Sequence, residues 1–307
     1  MKLKLRTCPF AVAAIAVTCV SYGYGASISD YRTYKATPAT TLTGEGTDDP
    51  VVGDLAAPAN SANSAFVVGY LPAPAVLGSN AGDSITLSFG VSFNDAVGMA
   101  NAGDNFRFAL FDLNGEAQDS ATGGAGGGPN YATAGTDNTD NFRGYIFGAK
   151  NGSGTGSGGS IRERILMLAS GDNAFATAGT NTATAPSLGP VGGDPVTLVS
   201  DVAGNGAGAD YTGVMTLTRS ALGLVDLSGS FIGSNSATGN VFSASDLTPN
   251  LSSTYGAVGF LIGGGLNLDQ ASFSNVDVTV TVVPEPATLA LGVGSLLGAA
   301  LARRRRR

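Results

Sequence analysis

The stretch "TDNTDNF" brings Asp137, Asn138, Asp140 and Asn141 into one short segment and offers a hard cation a set of oxygen ligands. Carboxylates and amide carbonyls of this kind suit calcium. Their spacing is not that of the helix-loop-helix calcium loop, and Asp and Asn are also ordinary turn formers. No cofactor is therefore expected, apart from a structural calcium that this loop would admit.

Acid–base chemistry is harder to place. Ahead of the last 24 residues the only glutamates are Glu45, Glu116 and Glu163, far apart in the chain. Aspartates distant in sequence can still meet in space, and two carboxylates about 5 to 9.5 Å apart suffice for glycoside hydrolysis. No such pair stands out. The chain has no histidine, and its two cysteines, Cys8 and Cys19, both lie near the N-terminus. Histidine-based triads, the usual zinc sites and most general-base chemistry near neutral pH are thereby excluded, and the sequence predicts a protein that is not an enzyme.

Two further patterns have binding chemistry to offer. Gly154, Gly156 and Gly159 spell G-x-G-x-x-G in "NGSGTGSGGS". A dinucleotide site needs that motif between a strand and a helix, with an acidic residue about 20 positions on, whereas a Gly/Ser tract matches it by composition. An exposed loop is the preferred reading. Tyr131, Tyr145, Tyr211 and Tyr255 would present ring faces to a sugar if partly exposed, although strand tyrosines also close core edges. There is no tryptophan to strengthen a stacking platform.

These residues must be positioned by strands. In "DSITLSFGVSF", Ile85, Leu87, Phe89, Val91 and Phe93 alternate with Thr86, Ser88, Gly90 and Ser92, the period of a half-buried strand. The alternation recurs at Phe106, Phe108 and Leu110, at Val225, Leu227 and Phe231, and at Val276, Val278, Val280 and Val282. Further strands are expected at 65–71, 142–148, 195–202, 211–219 and 256–262. "SIRERILMLAS" has the capping box Ser160 and Glu163 but also alternates, and its strand neighbours favour a strand. Short strands separated by turn residues predict an all-β antiparallel sandwich. Residues 27–64, poor in large apolar side chains, read as an irregular lead-in with room for one edge strand.

The two ends speak about location. Three positive charges in residues 1–6, the apolar run "PFAVAAIAVTCV" and the small residues Gly23, Gly25 and Ala26 form a secretory signal peptide, 1–26, with cleavage near Gly25 or Ala26. Three of the 16 basic residues lie in that segment and five in the last five positions. The body keeps eight against 22 acids, a net charge near −14, which disfavours nucleic acid as a partner. At the other end, 287–302 is uncharged and rich in Leu, Ala and Gly. As a helix it would be about 24 Å long, short for a membrane core of about 30 Å but helped by Arg303, Arg304, Arg305, Arg306 and Arg307 snorkelling. One C-terminal transmembrane helix is expected, starting at Pro284 and Pro286, with the arginines cytoplasmic and the body outside.

Pro284-Glu285-Pro286, the apolar run and the terminal arginines together resemble the PEP-CTERM sorting signal of Gram-negative bacteria. The resemblance implies an exosortase-type membrane enzyme as partner, with Pro284, Glu285 and Pro286 as its recognition residues and the arginine run retaining the chain at the inner membrane until processing. It further implies delivery to the cell surface or to an exopolysaccharide matrix, as in biofilms. The order "GDSITLSFGVSF", "NFRFALFDLNG", "FRGYIFG" and "DQASFSNVDVTV" is similar to concanavalin A-like jelly-roll domains, a family of lectins and glucanases; the E-x-D-x-E cluster of its glucanases is absent. The expected organisation is thus signal peptide 1–26, lead-in 27–64, β-sandwich 65–283 and sorting segment 284–307. The expected role is structural or adhesive, with binding of polysaccharide as the alternative.

Overall fold

The structure is a computed structural model of the 307-residue chain. It describes residues 22–28, 30–35, 41–44, 46–47, 49–53, 65–95, 106–115, 142–149, 159–164, 187–190, 192–193, 201–202, 210–233, 239–247, 253–263 and 270–284. The described residues hold strands and turns and no helix. The strands are β1 (Tyr22–Ser27), β2 (Asp30–Lys35), β3 (Thr41–Thr43), β4 (Val51–Gly53), β5 (Ala65–Val76), β6 (Ser84–Asp95), β7 (Phe106–Asp112), β8 (Arg143–Gly148) and β9 (Ser160–Arg164). After them come β10 (Ser187–Pro190), β11 (Gly192–Gly193), β12 (Asp201–Val202), β13 (Asp210–Arg219), β14 (Val225–Gly233), β15 (Gly239–Asp246), β16 (Thr254–Ile262) and β17 (Gln270–Val282).

They form two sheets within the compact unit Gly23–Val282. Sheet A has ten strands in the order β11-β15-β14-β13-β6-β17-β4-β3, with β1 beside β17 and β12 beside β6. Sheet B has seven, β10-β9-β8-β7-β16-β5-β2. The registered pairings are antiparallel except the two-residue β12–β6 ladder, so the all-β antiparallel expectation is met.

The core is what the alternation anticipates. The inward positions of β6, Ile85, Leu87, Phe89, Val91 and Phe93, are all at most 2% exposed and join one cluster with residues of sheet B. Phe89 packs edge-on against Phe108 and Phe260 of the opposite sheet, with ring centroids 5.0 and 4.9 Å apart. Tyr211 stacks on Phe231 at 5.2 Å and Phe147 on Phe242 at 4.2 Å. Such aromatic pairs add about 0.5–1.5 kcal/mol each beyond the area they bury. Sheet B is buried on both faces. Phe66, Val68, Tyr70, Ala109, Phe111, Ile146 and Leu261 form a second apolar cluster on the side away from sheet A. That is why "AFVVGYL" reads as a continuous apolar run.

Some expectations change. The stretch 27–64 contains β2, β3 and β4 rather than one edge strand: β2 pairs with β5 along its whole length, and β4 pairs with β17. Among its described residues Ile28, Tyr31, Leu42 and Val52 are buried in the core. The ambiguous 160–170 segment begins as strand β9, paired to β8, so Gly159 precedes a strand and the helix of a dinucleotide site does not follow it. Of the strand expected at 195–202, only Asp201–Val202 lies among the described residues.

Candidate binding face on sheet A

The tyrosines proposed for sugar stacking are the first correction. Tyr145, Tyr211 and Tyr255 are at most 2% exposed. Tyr145 shares a phase with Phe147, and Tyr211 with Met215 and Leu217, so each ring points between the sheets. The β-bulge between Tyr255 and Ala257 turns Tyr255 inward as well. Tyr131 lies outside the described residues.

Burial has an electrostatic consequence. The Tyr145 hydroxyl donates to the Asp246 carboxylate at 2.8 Å. Desolvation first, then Tyr255 and Asp246 nearby, push Tyr145 far above the ordinary tyrosine range. Tyr255 is also pushed well up, mainly by burial, with Arg219 working in the opposite direction. Asp246 and Glu163 are both at most 2% exposed, and their charges act on both tyrosines; the Tyr145–Asp246 bond ties β8 to β15.

The remaining site residues are quickly placed. Pro284 lies two residues beyond the end of β17, whereas Glu285, Pro286 and Arg303 to Arg307 lie outside the described residues. So do Asp137, Asn138, Asp140 and Asn141, the calcium candidates, together with Glu45 and Glu116. Among the described residues no cluster of three His, Cys, Asp or Glu side chains can hold a metal ion, and no helix is long and apolar enough to cross a membrane.

The chemistry that sequence reading overlooked lies on the outer face of sheet A. Because strand side chains alternate, the residues opposite the core form rows across the sheet. Ser243, Ser228, Thr216, Thr86 and Thr279 are successive partners on β15, β14, β13, β6 and β17. A neighbouring row runs Ser245, Asp226, Thr218, Ser84 and Thr281 through the same five strands. Thr86 and Thr216 touch through their Oγ1 atoms at 3.0 Å, and Ser245 Oγ donates to the Asp226 carboxylate at 2.6 Å.

Toward the other end of β6 this face dips into a groove of about 380 Å³. Its rim is Ser88, Ser92, Asp210, Thr212, Ser274 and Asn275, and Gly90 forms part of its floor. Gly90 lies between Thr212 on β13 and Ser274 on β17. A Cβ there would come within 2.4 Å of Ser274 Oγ, so the glycine is what lets the Ser274 hydroxyl fold over the floor of the groove. On one side, Ser92 Oγ donates to the Asp210 carboxylate. On the other, a β-bulge shifts the register between Ser274 and Asp277. Asn275 takes a left-handed φ of 51° there, and its N–H donates to Asp49 Oδ1 at 3.1 Å. Bulges of this kind re-aim side chains beside sites.

Serine and threonine hydroxyls both donate and accept, Asn275 does both through its amide, and Asp210 accepts only. The groove therefore complements a neutral, polyhydroxylated ligand. Phe89 and Tyr211 line it from the core side, with their rings packed inward, so it provides hydrogen bonds and no aromatic platform.

No family model matches the chain, and no curated protein matches it. Among solved structures it is similar to the basic lectin of winged bean with Tn-antigen, at a TM-score of 0.44 and 10% identity over 87% of this chain and 100% of that one. Peanut lectin with a nine-residue peptide gives 0.40 and 13% over 86% and 100%. Lectin II from Ulex europaeus gives 0.42 and 12% over 86% and 99%. At that level of overlap no ligand chemistry passes from them to this chain.

Proposed function

We propose that this chain is an exported surface or matrix protein whose β-sandwich binds neutral polysaccharide on the outer face of sheet A. The observation that carries the reading is the groove over Gly90: a glycine floor onto which the Ser274 hydroxyl folds, ringed by further hydroxyls, one amide and one carboxylate. The flanking Ser and Thr rows extend the same chemistry over five strands, as a polymer with repeating hydroxyls requires. Adhesion in this reading is sugar recognition, carried by a concanavalin A-like jelly roll.

Export rests on the ends of the sequence. The signal segment sends the chain across the inner membrane, and the C-terminal helix with Arg303 to Arg307 holds it there. An exosortase-type enzyme then reads Pro284, Glu285 and Pro286 and releases the body to the surface or the exopolysaccharide matrix.

Both parts have a direct test. Isothermal titration of neutral and anionic polysaccharides should give saturable binding of a neutral polymer, weakened about tenfold, or about 1.4 kcal/mol, by Asp210→Asn or Gly90→Ala. Unchanged binding in both variants would remove the groove from the account. Mass spectrometry of the protein from matrix fractions should find a C-terminus near Pro284 to Pro286; an intact Arg307 there would exclude processing.

A further inference from the structure

Strand β17 has two edges. Along its distal half one edge belongs to β6, which sets Asp277 opposite Ser88, Thr279 opposite Thr86 and Thr281 opposite Ser84. The other edge is divided. β4 takes Ala271 and Ser272, and β1 covers the distal part. A Cβ on Gly23 would lie 3.6 Å from the Val280 carbonyl oxygen, and one on Gly25 would lie 3.2 Å from the Asp277 carboxylate.

β1 is a slight cover. Its sequence is Tyr-Gly-Tyr-Gly-Ala-Ser, Gly23, Tyr24 and Gly25 are exposed, Tyr24 at 54%, and Ala26 is partly buried against the core. It caps backbone groups and contributes little burial. The strand beneath it is firm: Val276, Val278 and Val280 are at most 1% exposed. The export reading above, on which this inference rests, places signal cleavage near Gly25 or Ala26, inside β1. Cutting there removes Gly23 and the cover over Asp277–Thr281, leaving a fixed strand with open N–H and C=O groups. Such an edge is a template for another strand.

We propose that signal removal unmasks this edge and that a second copy of the chain pairs with it, β17 to β17 about a two-fold axis. Self-pairing fits because the exposed stretch reads Val-Asp-Val-Thr-Val-Thr-Val, with a single charge and the same alternation in either direction. The glycine-rich β1 shows that the edge accepts backbone without demanding particular side chains. A two-fold axis normal to the sheet keeps both outer faces on one side, so the two grooves share a surface and can grip one polymer bivalently. While β1 is present, the precursor is protected from pairing before export.

The test uses chains whose N-termini are set by the experimenter, each ending at Val283 and containing both sheets of the compact unit. Sedimentation equilibrium should show a monomer for the chain starting at Tyr22 and twice that mass for the chain starting at Ser27. Adding the hexapeptide of β1 to the latter should return it to monomer. Thr279→Lys in the Ser27 chain should favour monomer at low salt and recover the dimer near about 1 M salt, where repulsion between lysines across the axis is screened. Should the Ser27 chain fail to fold, Gly23→Pro with Gly25→Pro in the Tyr22 chain detaches β1 and should give the same dimer. A folded monomer from every uncovered chain, or one mass with and without β1, would overturn the inference. The N-terminus of the protein recovered from its host judges the export reading separately: a start upstream of Tyr22 would contradict cleavage inside β1, whatever the recombinant chains do.

Discussion

The hydroxyl of Tyr145 on β8 donates to the carboxylate of Asp246 on β15 at 2.8 Å, a bond that crosses from one sheet of the sandwich to the other. Both residues are at most 1% exposed, so the bond forms where water cannot substitute for either partner.

Replacing Tyr145 by Phe should therefore cost more than an ordinary surface change. The acceptor stays buried and loses a donor, an effect of about 1–3 kcal/mol. Urea unfolding of Tyr145→Phe should show a lower midpoint with an unchanged slope. A midpoint equal to wild type would mean that the bond between the sheets contributes nothing.

The same burial predicts an alkaline limit to stability. Tyr145 and Tyr255 both keep their protons far above the ordinary value, chiefly because burial disfavours the phenolate. In the unfolded chain they ionise near pH 10, so above that pH the folded state binds more protons and stability falls as pH rises. The slope should approach about 1.4 kcal/mol per pH unit for each of the two. Below about pH 10 their contribution is fully present. Absorbance at 295 nm should show at least two of the nine tyrosines ionising only on unfolding.

Gly144 should be intolerant of any side chain. It sits in β8 at φ 154°, and a Cβ there would lie 2.0 Å from the carbonyl oxygen of Leu110 on the neighbouring strand. Backbone cannot swing aside as a side-chain tip can. Gly144→Ala should lose about 3 kcal/mol by thermal or urea unfolding, whereas Gly90→Ala, which clashes with the Ser274 hydroxyl and no backbone atom, should lose far less.

Within the core, Phe89 meets rings of both sheets. Truncating it to Ala should cost about 3–5 kcal/mol, as other buried aromatic truncations do. A loss below about 1 kcal/mol would show that the two sheets hold together without that contact.

How legible this was depended on which forces acted locally. β6, β14 and β17 could be read directly because one face meets the core and the other meets water, and that contrast is written as alternation. β2 could not be read: "DYRTYK" looks polar, and it becomes a strand only because β5, some thirty residues on, offers an edge to it. For Tyr145 and Tyr211 the inward phase was available from Phe147, Met215 and Leu217. The phase of Tyr255 was hidden by a bulge that sequence does not announce. The groove joins residues near 90, 211 and 274, whose adjacency is a property of sheet order. Its one local signal was Gly90, a lone glycine inside an otherwise regular strand, which often marks a close approach.

The central claim, that sugar binds over Gly90, is met most directly by titrating the isotope-labelled body with fragments of a neutral polysaccharide and following backbone amide resonances. The account predicts saturable shifts at Ser88, Gly90, Ser92, Thr212 and Ser274, with the resonances of sheet B unmoved. Shifts confined to the connecting loops, or none with any neutral fragment, would contradict it.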